Sequence, residues 1–312
     1  MGNILVSVIM PTYNHEAYIS RALESILNQD RDFDLEILIG DDCSTDGTRE
    51  ICEQYKSKFP HIIKLIYNSQ NLGLLGNYKN LFNNARGKYI AILESDDFWC
   101  CNSKLSKQVE FLELNNEYGV VYTNANFLYQ DSFILKKNVQ TNKPSGDIFH
   151  KLIKGNFIIA GSVCFRKSLF DKFINIDEYI ESKFKTLDYP LWLEFSLRTK
   201  FKYLNYPTIT YRIVSKSISN NSDQSKAFEF INSSKEIVEF IIRKYSLNKN
   251  LNRFIYNNCL IQQIKYLCKK DRIKEAQEIA NNITVFNARS FVSKHILRSM
   301  FLLTILSKRY FK

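Results

Sequence analysis

Residues 90–99 read IAILESDDFW. Apolar residues of the kind that fill a buried strand end in three acidic side chains within four positions, Glu94, Asp96 and Asp97, and the chain turns apolar again at once. Two readings fit such a stretch. One is a solvated acidic turn after an edge strand; the other is a strand end that carries carboxylates to a ligand, and a hard divalent cation such as Mg2+ takes one or two carboxylates together with phosphate oxygens and water.

Moving outward, strand-like runs recur at LVSVIM (5–10), LEILIG (35–40), IIKLIY (62–67), KYIAIL (88–93) and GVVYTNANFLY (119–129). Helix-like stretches separate them: Tyr18, Ala22, Leu23, Ile26 and Leu27 fall on one helical face, and residues 77–85 and 104–114 read similarly. Such alternation implies helices layered on a mostly parallel sheet. Ligands of these sheets bind at the carboxyl ends of the strands. There the chain reads PTYN after the first strand, DDCSTDGT after the second and ESDD after the fourth, so polar groups from three strands collect at one edge. DDCSTDGT also reads as a helix start, capped by Ser44 or Thr45 with Asp46 near the first turn. Neither GxGxxG nor GxxxxGK[ST] occurs. The usual backbone cradles for phosphate are therefore missing, and a phosphate bound here calls for a cation held by carboxylates.

In order and spacing, SVIMPTYN, LIGDDCSTDGT, NLGLLGNYKNLFNNARGKYIAILESDDFW and LDYPLWLEF resemble the inverting family 2 nucleotide-sugar glycosyltransferases of the GT-A fold, over residues 5 to 219. The resemblance implies an α/β domain with a mostly parallel central sheet flanked by helices. It also implies transfer of a sugar from a nucleotide-diphosphate donor, with Mg2+ or Mn2+ as cofactor. Carried over by position, Pro11, Thr12 and Tyr13 line the nucleotide pocket and Asp42 accepts a hydrogen bond from the base, which favours a UDP-sugar. Asp97 meets the metal, and Asp96 the ribose or the metal's water shell. Glu94 stands where many members have the first Asp of the motif. Asp188 matches the catalytic base, although Asp before YPLWLEF also reads as a helix cap with Pro190 in the first turn. Two positions depart from the family: Leu187 replaces a Glu, and Val214 replaces a His that helps hold metal or diphosphate, leaving Arg212, Ser215, Lys216 or water to substitute.

The charge balance divides the chain. Of 312 residues with net charge +11, residues 1–225 carry 26 Lys+Arg against 26 Asp+Glu, whereas residues 226–312 carry 17 against 6. The expected organisation is a catalytic domain over 1–225, with a nucleotide-sugar half (1–130) and an acceptor half (131–225), then a basic helical region over 226–312. In the acceptor half, NVQTNKPSGD (138–147) reads as a loop over the site and GNFIIAGSVCFRKSLF (155–170) as a strand entered from a loop. KAFEFINSSKEIVEFIIRKY and DRIKEAQEIANN read as helices of the basic region. As a helix, residues 291–312 would gather Lys294, Arg298, Lys308 and Lys312 on one side, suited either to an anionic membrane surface or to a solvated face.

Seven cysteines without CxxC spacing point to a reducing compartment, and no secretory signal is read at MGNILVSVIM. The most apolar stretch, SMFLLTIL, is too short to span a bilayer. The expected partners are thus a nucleotide-sugar donor and a glycan or lipid-linked glycan acceptor, met in the cytoplasm or at the inner face of a bacterial membrane during surface polysaccharide synthesis. Nucleic acid is not expected, because no basic surface interleaved with aromatics occurs in the balanced part. A nucleotidyltransferase, which also uses carboxylates and metal, lacks support because no Gly-rich basic loop follows the first strand. A non-catalytic sugar-nucleotide-binding or scaffold protein is the alternative that Leu187 and Val214 keep open.

Overall fold

The computed structural model describes residues 4–214, 223–248 and 251–283. The chain divides into two compact units, Met1–Asn220 and Asn221–Lys312.

The first unit runs β1 (Val6–Thr12), α1 (Ile19–Leu27), β2 (Leu35–Asp41), α2 (Thr48–Lys58), β3 (Ile63–Tyr67), α3 (Gly73–Asn84), β4 (Tyr89–Ile92) and β5 (Phe98–Trp99). It continues with α4 (Lys104–Leu114), β6 (Tyr118–Tyr129), β7 (Ile134–Lys136), α5 (Phe149–Leu152), β8 (Cys164–Arg166), α6 (Lys167–Phe173), α7 (Ile176–Glu181), α8 (Asp188–Ser196) and β9 (Lys200–Ile213). Every residue of β1 and β2 is buried, which is why both read as near-continuous apolar runs rather than alternating ones. Their helices cover them with one face each: in α1, Ile19, Ala22, Leu23 and Ile26 point inward.

The sheet order is β3-β2-β1-β4-β8-β6-β9-β5, with β7 paired to β6. The block β3-β2-β1-β4 is parallel throughout, as the alternating pattern predicts. Beyond it the sheet becomes mixed, because β8 runs antiparallel to both β4 and β6, and β5 antiparallel to β9. The expected strand within 155–170 shortens to the three residues of β8, preceded by a 3-10 turn at Ala160–Ser162. Residues 138–147 lack regular structure apart from an isolated bridge at Gly146.

The second unit contains α9 (Gln224–Lys244), α10 (Leu251–Lys269) and α11 (Ile273–Asn281). Asp223 caps α9 by accepting from the Ser225 and Lys226 amides. Leu260, Ile264 and Leu267 of α10 pack with Ala276, Ala280 and Ile283. The reading of 226–245 and 271–282 as helices holds, whereas α10, with no clear apolar periodicity, was not anticipated. The basic helix expected over 291–312 lies outside the described residues, as do Ser215 and Lys216. No helix among the described residues is long and apolar enough to cross a membrane, and all seven cysteines are free.

Candidate active site

Register brings the polar segments together. β4 ends at Ile92 opposite Ile9, while β1 runs on to Thr12 opposite Asp41. After Leu93 the chain turns, closed by the Asp97 amide donating to the Glu94 carbonyl (3.0 Å), and reverses into β5. Ser95 ties this turn to the end of β1: its hydroxyl donates to the Pro11 carbonyl (3.2 Å) and lies 2.7 Å from His15 Nδ1.

The turn concentrates negative charge. One carboxylate oxygen each from Glu94, Asp96 and Asp97 lie within 4.8 Å of one another. Asp97 is buried, and its Oδ1 accepts from the Arg212 amide at 2.6 Å. Tyr78 donates to Glu94 Oε1 at 3.2 Å. Burial, together with the charge of Asp96, holds the Asp97 carboxyl well above the usual carboxylate range. Burial first, then the charges of Asp96 and Asp188, push Glu94 up to about 8. Crowded carboxylates with few donors are costly when all are ionised, and an oxygen-only donor set of this kind fits a hard divalent cation.

Arg212 is committed to holding this turn. Its Nε donates to the Asp96 carbonyl (2.7 Å), its Nη1 to Gln130 Oε1 (2.6 Å), and its guanidinium stacks 4.6 Å from the Tyr18 ring centroid. Val214, just after β9, is half-buried and offers no ligand atom from its side chain.

Asp188 begins α8, but the helix-cap reading does not describe it. Leu187 occupies the cap position without a side-chain bond, and Asp188 Oδ2 instead accepts from Asn156 Nδ2 at 2.7 Å. Burial raises the proton affinity of Asp188. Its charge is felt at Glu94 and at Tyr78, so it faces the same corner as the acidic turn. Leu187 is buried, which turns the departure from the family into packing.

The end of β2 makes a second, different corner. Asp42 is buried, and its Oδ1 accepts from Asn68 Nδ2 and from the Leu72 amide, each at 2.8 Å. Asn77 Nδ2 donates to the Gly40 carbonyl (2.8 Å), an approach that only glycine allows, since a Cβ there would sit 2.3 Å from Asn77 Oδ1. Asp41 accepts from the Ser44 amide and pairs with Arg49 at 3.1 Å, and Arg49 in turn lies over the Tyr67 ring. Thr12 is buried with its hydroxyl lacking a partner among the described residues, and Tyr13 is 44% exposed.

The expected cap of α2 is corrected. Helix α2 starts at Thr48, and Asp46 Oδ1, not Ser44 or Thr45, accepts from the Thr48 amide and hydroxyl. Ser44 and Thr45 are engaged elsewhere: Ser44 Oγ accepts from the Asn14 amide, and the Thr45 amide donates to Asn14 Oδ1. The competing demand is joining PTYN to DDCSTDGT. Several residues at these corners were not singled out from the sequence: Tyr78, Asn156, Asn68 and the His15-Ser95 pair. The first three carry no spacing signal, because each arrives from a different loop or helix.

The family model of glycosyl transferase family 2 matches residues 7–174. An uncharacterised protein of Mycobacterium tuberculosis is 33% identical over 162 residues, which is 52% of this chain and 47% of that protein, so the match spans about half the length of that relative. TuaG of Bacillus subtilis, a putative teichuronic acid biosynthesis glycosyltransferase, is 32% identical over 218 residues, covering 70% of this chain and 82% of TuaG. WfgD of Escherichia coli, a UDP-Glc:alpha-D-GlcNAc-diphosphoundecaprenol beta-1,3-glucosyltransferase, is 32% identical over 227 residues, covering 71% and 82%. Among solved structures, Staphylococcus aureus TarS 1-349 in complex with UDP-GlcNAc superposes with a TM-score of 0.56 at 18% identity, covering 84% of this chain and 81% of that one. The mannosyltransferase PcManGT of Pyrobaculum calidifontis, in complex with GDP-Man and Mn2+, gives 0.58 at 14% identity, covering 98% and 87%. These two share the fold. With the family model covering more than half of the sequence, the chain belongs to glycosyl transferase family 2.

Proposed function

We propose that this protein is a metal-dependent inverting glycosyltransferase that moves a sugar from a nucleotide-diphosphate donor, UDP-sugar favoured, to a hydroxyl of a glycan or lipid-linked glycan. The observation that carries this reading is the crowded Glu94, Asp96 and Asp97 turn facing Asp188 in a chain of this family. The nucleoside would lie along Pro11, Thr12 and Tyr13, with Asp42 toward the base and Asp96 toward the ribose. Mg2+ or Mn2+ held by Asp97 and Asp96 would act as a Lewis acid on the leaving diphosphate.

The acceptor oxygen attacks the anomeric carbon from the face opposite the diphosphate. As the new C–O bond forms, the old one breaks, its electron pair stays on the phosphate oxygen, and the hydroxyl proton passes to Asp188. Two features suit Asp188 to this step. Its raised proton affinity brings it nearer the acceptor's, and the Asn156 amide, donating to Oδ2, restrains the orientation of the carboxylate. A base so placed contributes typically ~10²–10⁴-fold. The names of TuaG and WfgD support a place in bacterial surface polysaccharide or glycolipid synthesis; the charge of the tail, 17 basic against 6 acidic residues over 226–312, supports a peripheral contact at the inner face of the membrane.

The test is a panel of nucleotide sugars scored by thermal stabilisation with and without Mn2+, since a ligand bound only by the native state raises its apparent stability. One donor should stabilise the protein in a metal-dependent way. Asp188→Asn should bind that donor as the wild type does and transfer it on the order of 10²–10⁴-fold more slowly. Full activity of the variant would remove Asp188 as the base. Donor binding by the wild type without turnover on any glycan acceptor would favour the scaffold reading.

A further inference from the structure

The segment between β6 and β9 holds a feature that sugar transfer does not use. At its far end strand β6 turns back into β7, which pairs with Phe127–Tyr129, and residues 131–139 are all exposed. At its end Phe133 is 77% exposed, Ile134 53% and Leu135 46%. Isolated exposed apolar side chains are ordinary, but an uninterrupted Phe-Ile-Leu at a projecting tip is not.

Phe133 also adopts φ +53°, a left-handed conformation that crowds a Cβ and that hairpin turns usually give to Gly or Asn. The fold therefore holds a large apolar side chain outward in a backbone state that disfavours it. Such outliers persist where the surroundings over-determine them and point to function. In the hairpin sequence Lys136 and Lys137 stand beside the apolar run with Asp131 before it, and neither lysine is in an ion pair among the described residues. Lys136 lies over the Tyr129 ring. Among the described residues β7 pairs with β6 alone.

From this we infer that the β6–β7 hairpin docks on an anionic lipid surface, with Phe133, Ile134 and Leu135 entering the interface and the lysines meeting the headgroup phosphates. Apolar tips flanked by basic residues bind in this way. The hairpin turn starts at Gln130, whose side chain accepts from Arg212 while the Arg212 amide holds Asp97. Docking there would set the mouth of the candidate site against the bilayer, where a lipid-linked acceptor presents its glycan. The inference rests on the membrane-side reading above for its purpose, but its test needs neither donor nor acceptor.

The full chain is sedimented with vesicles of phosphatidylcholine alone or mixed with phosphatidylglycerol. Phe133→Asn/Ile134→Thr/Leu135→Thr keeps turn and strand preferences while removing the apolar tip. It should bind the mixed vesicles about tenfold more weakly than the wild type, with an unchanged melting temperature. Phe133→Trp reports insertion directly against the background of Trp99 and Trp192, which are both buried: its emission should shift to the blue on the mixed vesicles and be quenched by brominated acyl chains. Vesicle binding by the triple variant equal to that of the wild type would overturn the inference, as would an unshifted indole on bound protein. Equal binding to neutral vesicles would also overturn it. So would a wild-type dimer that the triple variant abolishes, because the hairpin would then be an interface between copies. Retained donor turnover in the triple variant, alongside lost vesicle binding, supports a docking role separate from the chemistry.

Discussion

Strands β2 and β4 flank β1, and each delivers two consecutive aspartates to the same sheet edge, yet the two corners are built on opposite electrostatic terms. At Asp41-Asp42 each carboxylate is answered from within the protein, by Arg49, the Ser44 and Leu72 amides and Asn68. At Asp96-Asp97, among the described residues, the donors to the acidic side chains are one amide, and Tyr78 on the neighbouring Glu94, while Asp188 adds a further negative charge. Buried polar groups that are satisfied stabilise a structure, whereas crowded buried charges do the reverse. The first corner is complete as it stands. The second is a set of charges whose balance a cation would restore.

The largest test of this contrast is Asp97→Asn, which should move activity and stability in opposite directions. Transfer should fall by on the order of 10²–10³-fold, the size expected when one electrostatic stabiliser of a leaving charge is lost. The metal-free protein should become more stable by about 1 kcal/mol, because a buried charge is removed while an acceptor for the Arg212 amide remains. Asp41→Asn, at the satisfied corner, should instead destabilise by ~1 kcal/mol, discounted because Arg49 is partly exposed. Urea titrations without added metal and turnover with Mn2+ measure both. If Asp97→Asn destabilises as Asp41→Asn does, the two corners are not different in kind.

Asp42→Asn gives the next effect. Asn keeps an oxygen for the Leu72 amide but presents an NH2 in place of the second carboxylate oxygen, which in the proposed role would meet the base. Donor affinity should drop roughly 10-fold, in line with one lost hydrogen bond to a charged group, while the response to Mn2+ persists. Isothermal titration with the best donor measures it, and an unchanged dissociation constant would take Asp42 away from the base.

How much of this was legible in the sequence follows the distance over which each interaction acts. β1, β2, β4 and the acidic turn could be read because each is a local pattern: an apolar run buried on both faces, then polar residues at its carboxyl end. The contrast between the corners could not. GDD and SDD look alike as strings, and what separates them arrives from elsewhere, Asn68 and Leu72 after β3 in one case and Arg212 after a long interval in the other. The cap of α2 was misassigned for a similar reason, since Ser44 and Thr45 are claimed by Asn14 from the β1 loop. The hairpin tip went unnoticed because Phe-Ile-Leu reads as core until its exposure is known.

The smallest effect comes from a buried charge of the other sign. Lys104 in α4 is fully buried, with Nζ donating to Gln108 Oε1 at 2.7 Å and lying 4.4 Å from the Trp99 ring centroid. Facing it are the thiols of Cys164 and Cys101 rather than a carboxylate. Burial depresses its proton affinity to about 7 from an ordinary 10.5. A depressed lysine is penalised in full below the folded value, where both states carry the charge. The penalty is relieved as pH rises from about 7 toward 10.5, where the unfolded chain binds the proton and the folded protein does not. Stability should therefore rise by about 1–2 kcal/mol between pH 6.5 and 8.5 on account of this group. That window stays below the range where the buried thiols of Cys52 and Cys164 titrate, both pushed up to about 12. Lys104→Met removes the charge with an unbranched side chain of similar length, so the rise should flatten while stability at pH 6.5 increases. In the proposed reading the acidic corner would relieve its charge by binding a cation, whereas the buried Lys104 relieves its own by losing a proton. An unchanged pH slope in Lys104→Met would show that the lysine keeps its charge in the folded core, and the parallel with the corner would fail.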